Sequence, residues 1–294
     1  VHSDWDHYDV DSDLLTPADG WHVSLGPRGG ALPGSVKAGA SVEVRIGGDP
    51  VMVGLIDEVD HEVDKADQRF GLSGRDGAAV LVDCAAPIFA AQMVGLDEVI
   101  AKLVRPLGIV KHRIEADNAR TREKINVEPG DSAWRALANV AEANGLWPWF
   151  APDGTLVIGG PDYTTPPVAT LVVRRSGKGN NTIRLAERAG LNGRYSHVTV
   201  LGQARGTQTE PGRHGLKYTA EDASISAYRP HVVVDHEADS VAICQDRARK
   251  LIADGRLRGY TLTATSSLGL PGNDWRLVSG TYLAPTTTLG ILVN

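Results

Sequence analysis

Hydrophobic and polar positions alternate with a period of two through the first third of the chain. Trp21, Val23 and Leu25 alternate with His22 and Ser24, and Val42, Val44 and Ile46 with Glu43 and Arg45. That period belongs to a strand with one buried face. Gly47-Gly48-Asp49-Pro50 reads as a turn, because Gly tolerates positive φ and Pro cannot join a central ladder. Beyond it, Val51, Val53, Leu55, Val59 and Val63 are expected on one face of a long strand. Ile56, Glu58, Asp60, Glu62 and Asp64 are expected on the other, a wet and acidic face. Lys65-Ala66-Asp67 predicts a turn, Arg69 to Arg75 a return strand, and Val80 to Cys84 a further short strand. Gly74 and Arg75 are expected to set the turn into that last strand, with Gly74 at positive φ.

The period then changes. Leu96, Val99, Ile100, Leu103, Val104 and Leu107 recur at helical spacing, with Asp97 and Glu98 in the first turn and Gly108 past the end. Pro106 frays the last turn. A second helix is expected over 132–144, with Asp131 as N-cap and Gly145 as stop. Leu146 to Phe150, Pro152-Asp153-Gly154 and Leu156 to Ile158 predict a hairpin. Pro161 to Pro167 reads as a linker. Strands are expected at 170–174, 197–202, 227–234 and 260–265. A third helix is expected over 237–254, stopping at Gly255, with Val241, Cys244, Ala248, Leu251 and Ile252 as its apolar face. Residues 275–293 return to β.

Composition narrows the class. The 294 residues suit roughly two domains, and 42% apolar against 22% charged residues marks a globular chain. The 33 Gly and 16 Pro favour many short strands. Aromatic residues are 5%, which argues against stacking surfaces for single-stranded nucleic acid. A net charge of −6 excludes a general polyanion binder. No apolar run approaches the ~18 residues of a membrane span, and no signal peptide is visible. Because the first residue is Val1, a trimmed or partly observed chain is expected.

Candidate chemistry is sparse. Asp9, Asp11 and Asp13 match the start of a calcium loop, but Leu14 stands where Gly is needed and Gly20 where a bidentate Glu is needed. The reading is therefore an exposed edge or loop whose charges discourage pairing, with no metal site. Gly71-Leu72-Ser73-Gly74-Arg75 is not a nucleophile elbow, and no HExxH occurs. Gly26-Pro27-Arg28-Gly29-Gly30 fits no phosphate-binding fingerprint. The basic stretch Arg174 to Asn181 reads as an anion contact or as a solvated loop. Cys84 and Cys244 form no CxxC. They read as small buried residues in a reducing compartment, or as a disulfide or reactive thiol. Trp134 is expected in a core. Trp147 and Trp149 flank Pro148 and either seal a core or rest on a neighbour. No catalytic residue and no cofactor is expected.

Ordered together, several runs resemble a known family. They are Gly48 to Val59, Leu72 to Cys84, Gly95 to Ala101, Val127 to Trp134, Ala138 to Ala141, Asp153 to Ile158 and Arg194 to Gln203. The set resembles Mu-type phage tail baseplate hub proteins. These are related to P2-type late-control proteins, to the T4-type hub and to the amino-terminal part of type VI secretion spike proteins. The resemblance implies an α+β, mainly β fold. Two related antiparallel β-barrels carry small α/β insertions and assemble as a trimeric, pseudo-sixfold ring. On this reading 1–86 is the first barrel, missing its first strand, and 87–165 an insertion with a LysM-like helix–hairpin. Residues 166–234 begin the second barrel, 235–266 form a helix–strand element, and 267–294 return to a truncated second barrel.

The implied role is a structural hub in the virion tail baseplate, assembled in the host cytoplasm. The implied partners are further copies of the chain, the tail tube protein, the central spike protein and baseplate wedge proteins. DNA is a partner only in transit, and no membrane insertion is expected. Glu58, Asp60 and Glu62 are expected to face the channel, where a negative wall would not hold passing phosphates. The alternatives are a peptidoglycan-binding LysM-like module and a cell-wall hydrolase.

Overall fold

The computed structural model describes residues 6–25, 32–46, 48–65, 68–87, 90–94, 96–116, 122–127, 130–160, 169–204, 211–236, 238–266, 279–283 and 289–293. Residues 66–67 of the expected turn, the 161–167 linker, and 275–278 and 284–288 of the expected return to β fall outside these residues.

Five strands build the first unit: β1 (His7–Val10), β2 (Gly20–Leu25), β3 (Ser41–Ile46), β4 (Asp49–Val63) and β5 (Gln68–Asp76). They form one antiparallel sheet in the order β1-β2-β5-β4-β3. The sheet curls around Trp21, Val23, Met52, Ile56 and Leu72. Its outer strands do not pair with each other, so the described residues make a half-barrel.

The long strand β4 departs from the expected phase. Before residue 57 the buried positions are Met52, Gly54 and Ile56, while Val51, Val53 and Leu55 are only half-buried. The register against β5 then slips between Ile56 and Glu58. One extra residue inverts the alternation, and Val59 turns back to the core. The uniform valine face is therefore replaced by two half-strands of opposite parity. Glu58, Asp60 and Glu62 remain exposed on the outer side.

Two further corrections follow β5. Gly74 and Arg75 lie within that strand, not in a turn, and Gly74 is absent from the positive-φ glycines. The segment after it is a short helix, α1 (Ala78–Asp83), not a strand. Its Ala78, Ala79 and Leu81 are buried, a helical spacing that a five-residue apolar run conceals.

The next unit contains β6 (Ala90–Val94), α2 (Leu96–Val104), a 3-10 turn (Arg105–Leu107), β7 (His112–Ile114), β8 (Arg122–Asn126), α3 (Ala133–Glu142), β9 (Trp147–Phe150) and β10 (Leu156–Gly159). Helices α1, α2 and α3 share a core with β10, centred on Leu81, Ile100, Leu103, Leu137, Leu156 and Ile158. The cap of α3 is Ser132, whose hydroxyl accepts the Arg135 N–H at 3.2 Å, rather than Asp131. Gly145 and Gly154 take positive φ at the helix stop and the hairpin turn, as the sequence requires.

The last part holds β11 (Ala169–Val173), β12 (Thr182–Ala189), β13 (His197–Ala204), β14 (Arg213–Glu221), β15 (Pro230–Val234), α4 (Val241–Gly259), β16 (Tyr260–Ser266), β17 (Ser279–Leu283) and β18 (Leu289–Val293). It is arranged as sheets β12-β16-β17 and β14-β13-β15 and a parallel pair β11-β18. Helix α4 packs Ile243, Cys244, Ala248 and Ile252 against Val198 and Val200 of β13. It is capped by Ser240 and runs through Gly255 to Gly259, beyond the expected stop. Gly255 serves a close approach there: a Cβ would stand 2.9 Å from the Gly193 carbonyl oxygen. Val241, expected on the apolar face, is exposed.

Candidate functional site

Three clusters of charged side chains stand out, two of them where units meet. The first cluster lies on the outer side of the half-barrel. Arg75 points away from the core and is held between two carboxylates. Its Nε donates to Asp57 Oδ2 at 2.6 Å, and its Nη2 donates to Asp83 Oδ2 at 2.6 Å. Asp57 is the extra residue of the β4 bulge, and Asp83 ends α1. One guanidinium thus joins the bulge to the helix that leads into the next unit. Asp83 and Asp57 raise the Arg75 pKa, and Arg75 in turn lowers that of Asp83. Gly74 beside it is needed for space. A Cβ there would overlap the Leu55 carbonyl oxygen and stand 2.9 Å from the Trp21 indole.

Glu58, Asp60 and Glu62 continue the same outer row along the β4–β5 hairpin, opposite Ser73, Gly71 and Arg69. The structure therefore separates the expected site residues into two roles. Arg75 is engaged in a clamp, and the three acids line an exposed strand face.

A small cleft lies between the half-barrel and the insertion. Asp13, Asp19 and Asp76 border it from one side, and Trp134, Trp149 and Phe150 from the other. Asp76 is buried and accepts the Ala78 N–H at 2.9 Å. Burial pushes its carboxyl up to about 7, the Ala78 bond opposes this, and Asp19 adds to the rise. Burial also raises Asp19, against hydrogen bonds from Ser12 and Asp13. Asp13 accepts the Leu15 N–H and the Thr16 hydroxyl, each at 2.9 Å. These acids therefore fold a turn. Among the described residues no group of three His, Cys, Asp or Glu is placed to hold a metal.

The insertion is fastened to α4 by a second cluster. Trp147 Nε1 donates to Asp254 Oδ1 at 2.8 Å, and Lys250 Nζ donates to Asp254 Oδ2 at 2.7 Å. The Lys250 ammonium also stands 4.5 Å over the Trp147 ring, within cation–π range. Arg247 pairs with Glu142 of α3 at 2.9 Å and with Asp235 at 3.1 Å. Trp147 thus rests on a neighbouring unit. Trp149 lines the cleft and Trp134 is half-buried against the insertion core.

A third cluster centres on buried Asp222. It accepts from Arg256, Ser224 and Arg194 at 2.9, 2.6 and 3.2 Å. Burial pushes this carboxyl up, but the bonds from Arg256, Ser224 and Arg194 prevail and hold it well below the usual range. Arg194 and Arg256 lie 28 and 34 residues away along the chain, so this cluster has no local signature. Cys84 and Cys244 are both free thiols. Cys84 is exposed, against the expectation of two buried residues, while Cys244 is buried. Burial raises the Cys244 thiol, and Asp235 adds to it. Among the described residues no helix is long and apolar enough to cross a membrane.

Among the described residues the sheets are open at their outer strands and ion pairs brace one unit against the next, as suits a structural component. Comparisons with known proteins identify which kind. Residues 1–76 match the profile of the Mu phage baseplate assembly protein GpP-like N-terminal domain. Residues 78–160 match that of the baseplate hub protein gp44-like second domain, and residues 194–252 that of the tail protein NMB1110-like third domain. The tail protein from Neisseria meningitidis is 36% identical and superposes with a TM-score of 0.80, covering 99% of this chain and 83% of its own. The 43 kDa tail protein of a Shewanella oneidensis prophage shares the fold at 20% identity and TM-score 0.76, over 99% of this chain and 85% of its own. The baseplate hub protein gp44 of Escherichia phage Mu is 25% identical over 242 residues, 79% of this chain. The chain spans 61% of the length of that curated relative. It belongs to the Mu-type phage tail baseplate hub family, whose members are components of the virion tail.

Proposed function

We propose that this chain is a structural baseplate hub. Three copies form a ring that adapts a sixfold tail tube to a threefold spike and surrounds the channel. The observation that carries the reading is the correspondence with the Neisseria tail protein over nearly the whole chain. The open half-barrel supports it: in the ring, neighbouring copies cover strand edges that a monomer leaves bare. The first barrel corresponds to 1–86, the insertion to 87–165, and the second barrel to 166–234 with its return at 267–294. The 235–266 element braces the insertion through Lys250 and Asp254. The tube, spike and wedge proteins are its partners, and DNA passes without being held.

In this arrangement the exposed row Glu58, Asp60 and Glu62 faces the bore, where like charge keeps phosphates from lodging. The helix–hairpin of the insertion is an internal brace, since its Trp147 is occupied by Asp254. The protein is not an enzyme on this reading. Light scattering of the purified chain tests the trimer, and a cryo-electron-microscopy map of the assembled tail end tests the ring. A monomer at all concentrations, or a map with the Glu58–Glu62 row buried against protein, would overturn the corresponding part.

A further inference from the structure

Two outer strands carry charge of opposite sign that has no ion-pair partner among the described residues. The first is β1, at the edge of the half-barrel, paired only with β2 among the described residues. His7 and Asp9 lie on the side away from the core residue Val10, and the ladder continues to Asp11 through its backbone bonds with Gly20. Asp6, Asp9 and Asp11 are exposed, and residues 6–13 contain four Asp and no Lys or Arg.

The second is β12, at the edge of the β12-β16-β17 sheet. Arg184, Ala186 and Arg188 share one face, opposite Thr265, Thr263 and Thr261. Both arginines are exposed and neither has an ion pair among the described residues. Ile183 beside them is 70% exposed. The preceding turn extends the positive row. Its backbone is held by Asn180 and Asn181, which accept the Arg174 and Val172 N–H groups at 2.7 Å each. Exposed Arg175 and Lys178 lie on it, so residues 174–188 hold five Lys or Arg and one Glu.

Among the described residues, the edges β3, β14 and β15 lack this property. On β3, Glu43 and Arg45 neutralise each other at 2.9 Å. Strand β14 mixes Lys217 with Glu221, and β15 carries exposed Val232 and Val234. A bare edge with exposed apolar side chains invites another strand. Opposite charges in register select which strand arrives.

We infer that β1 of one copy pairs edge to edge with β12 of a second copy, joining the half-barrel of each chain to the last β unit of its neighbour. The inference rests on the trimer proposed above and specifies its contact. The interface is heterologous, acidic patch to basic patch, which is the type that closes into a ring. With Ala186 opposite Asp9, Asp11 stands beside Arg184, and Asp9 lies diagonal to both arginines, within cross-strand reach.

Charge reversal on the full chain tests this by light scattering across a concentration series. Asp9→Lys with Asp11→Lys, and separately Arg184→Glu with Arg188→Glu, are each expected to raise the concentration needed for trimers at least tenfold. The chain carrying all four changes is expected to recover trimers. All positions are exposed, and unchanged thermal melts will verify folding. If both reversals trimerise like the parent, or the fourfold variant stays as weak as the doubles, the contact is wrong while the trimer stands. A parent chain that is monomeric throughout removes the trimer and this contact together.

Discussion

Gly74 shows how one residue can satisfy a prediction for a different reason. The sequence suggested a positive φ, whereas the structure places it in a strand with no room for a Cβ. Gly74→Val is still expected to destabilise, by about 1–3 kcal/mol or more from overpacking, seen as a lowered thermal midpoint. Gly74→Ala is expected to destabilise as well, because even a single Cβ would overlap the Leu55 carbonyl oxygen. Asp76 gives a pH dependence. Its carboxyl sits near 7 in the folded chain, against 3.8 ordinarily. Between those values the folded state keeps a proton that the unfolded chain has released, so this group's contribution falls as pH rises from about 4 to 7 and is flat above. Asp76→Asn is expected to flatten that slope and to gain stability relative to the parent at pH 8, checked by urea melts at pH 5 and pH 8. Neither the buried carboxyl nor its neighbour Asp19 could be read from sequence, because burial is a property of the packed cleft.

Among elements, regular periodicity was the reliable signal. The strands at 21–25, 42–46 and 69–75 and the helices at 96–107 and 132–144 were legible because alternation or a 3.6-residue spacing ran unbroken. Three cases show why others were not. The run Ala78 to Val82 is short and wholly apolar, so period cannot separate strand from helix. Strand β12 reads Thr-Ile-Arg-Leu-Ala-Glu-Arg-Ala, without strict alternation and with good helix formers. Helix α4 passes a glycine that is needed for contact with Gly193 and is not a stop. The clamps between elements were invisible for another reason: Trp147 and Asp254, or Glu142 and Arg247, meet only after both units have folded. Asp254→Ala leaves the nearly buried Lys250 without its 2.7 Å partner. It is expected to cost about 3–5 kcal/mol, as for a broken buried pair, and to speed proteolytic release of the insertion. Asp254→Asn, which can still accept from Trp147, is expected to lose less.

For the whole molecule, the hub reading came from the order of many weak runs, and the family correspondence bears it out. The open form of the first sheet and the positions of the bare edges needed coordinates. Changing Glu58, Asp60 and Glu62 together to Lys is expected to leave assembly intact but slow genome passage, measured as DNA release from particles carrying the variant. Unchanged release would remove these residues from the channel wall. The bulge at Asp57 adds a constraint on how such a chain can diverge. Deleting that one residue would close the bulge: Ile56 and Glu58 would then pair in sequence with Gly74 and Ser73, the acids would stay outward and Val59 inward, and Arg75 would lose one of its two partners. Removing or adding two residues beyond it would preserve the parity of the strand. Away from the bulge, length variation along this hairpin among related hubs should therefore come in even steps, and a library of insertions and deletions selected for virion assembly should discard single-residue changes there while tolerating loss of Asp57 more readily.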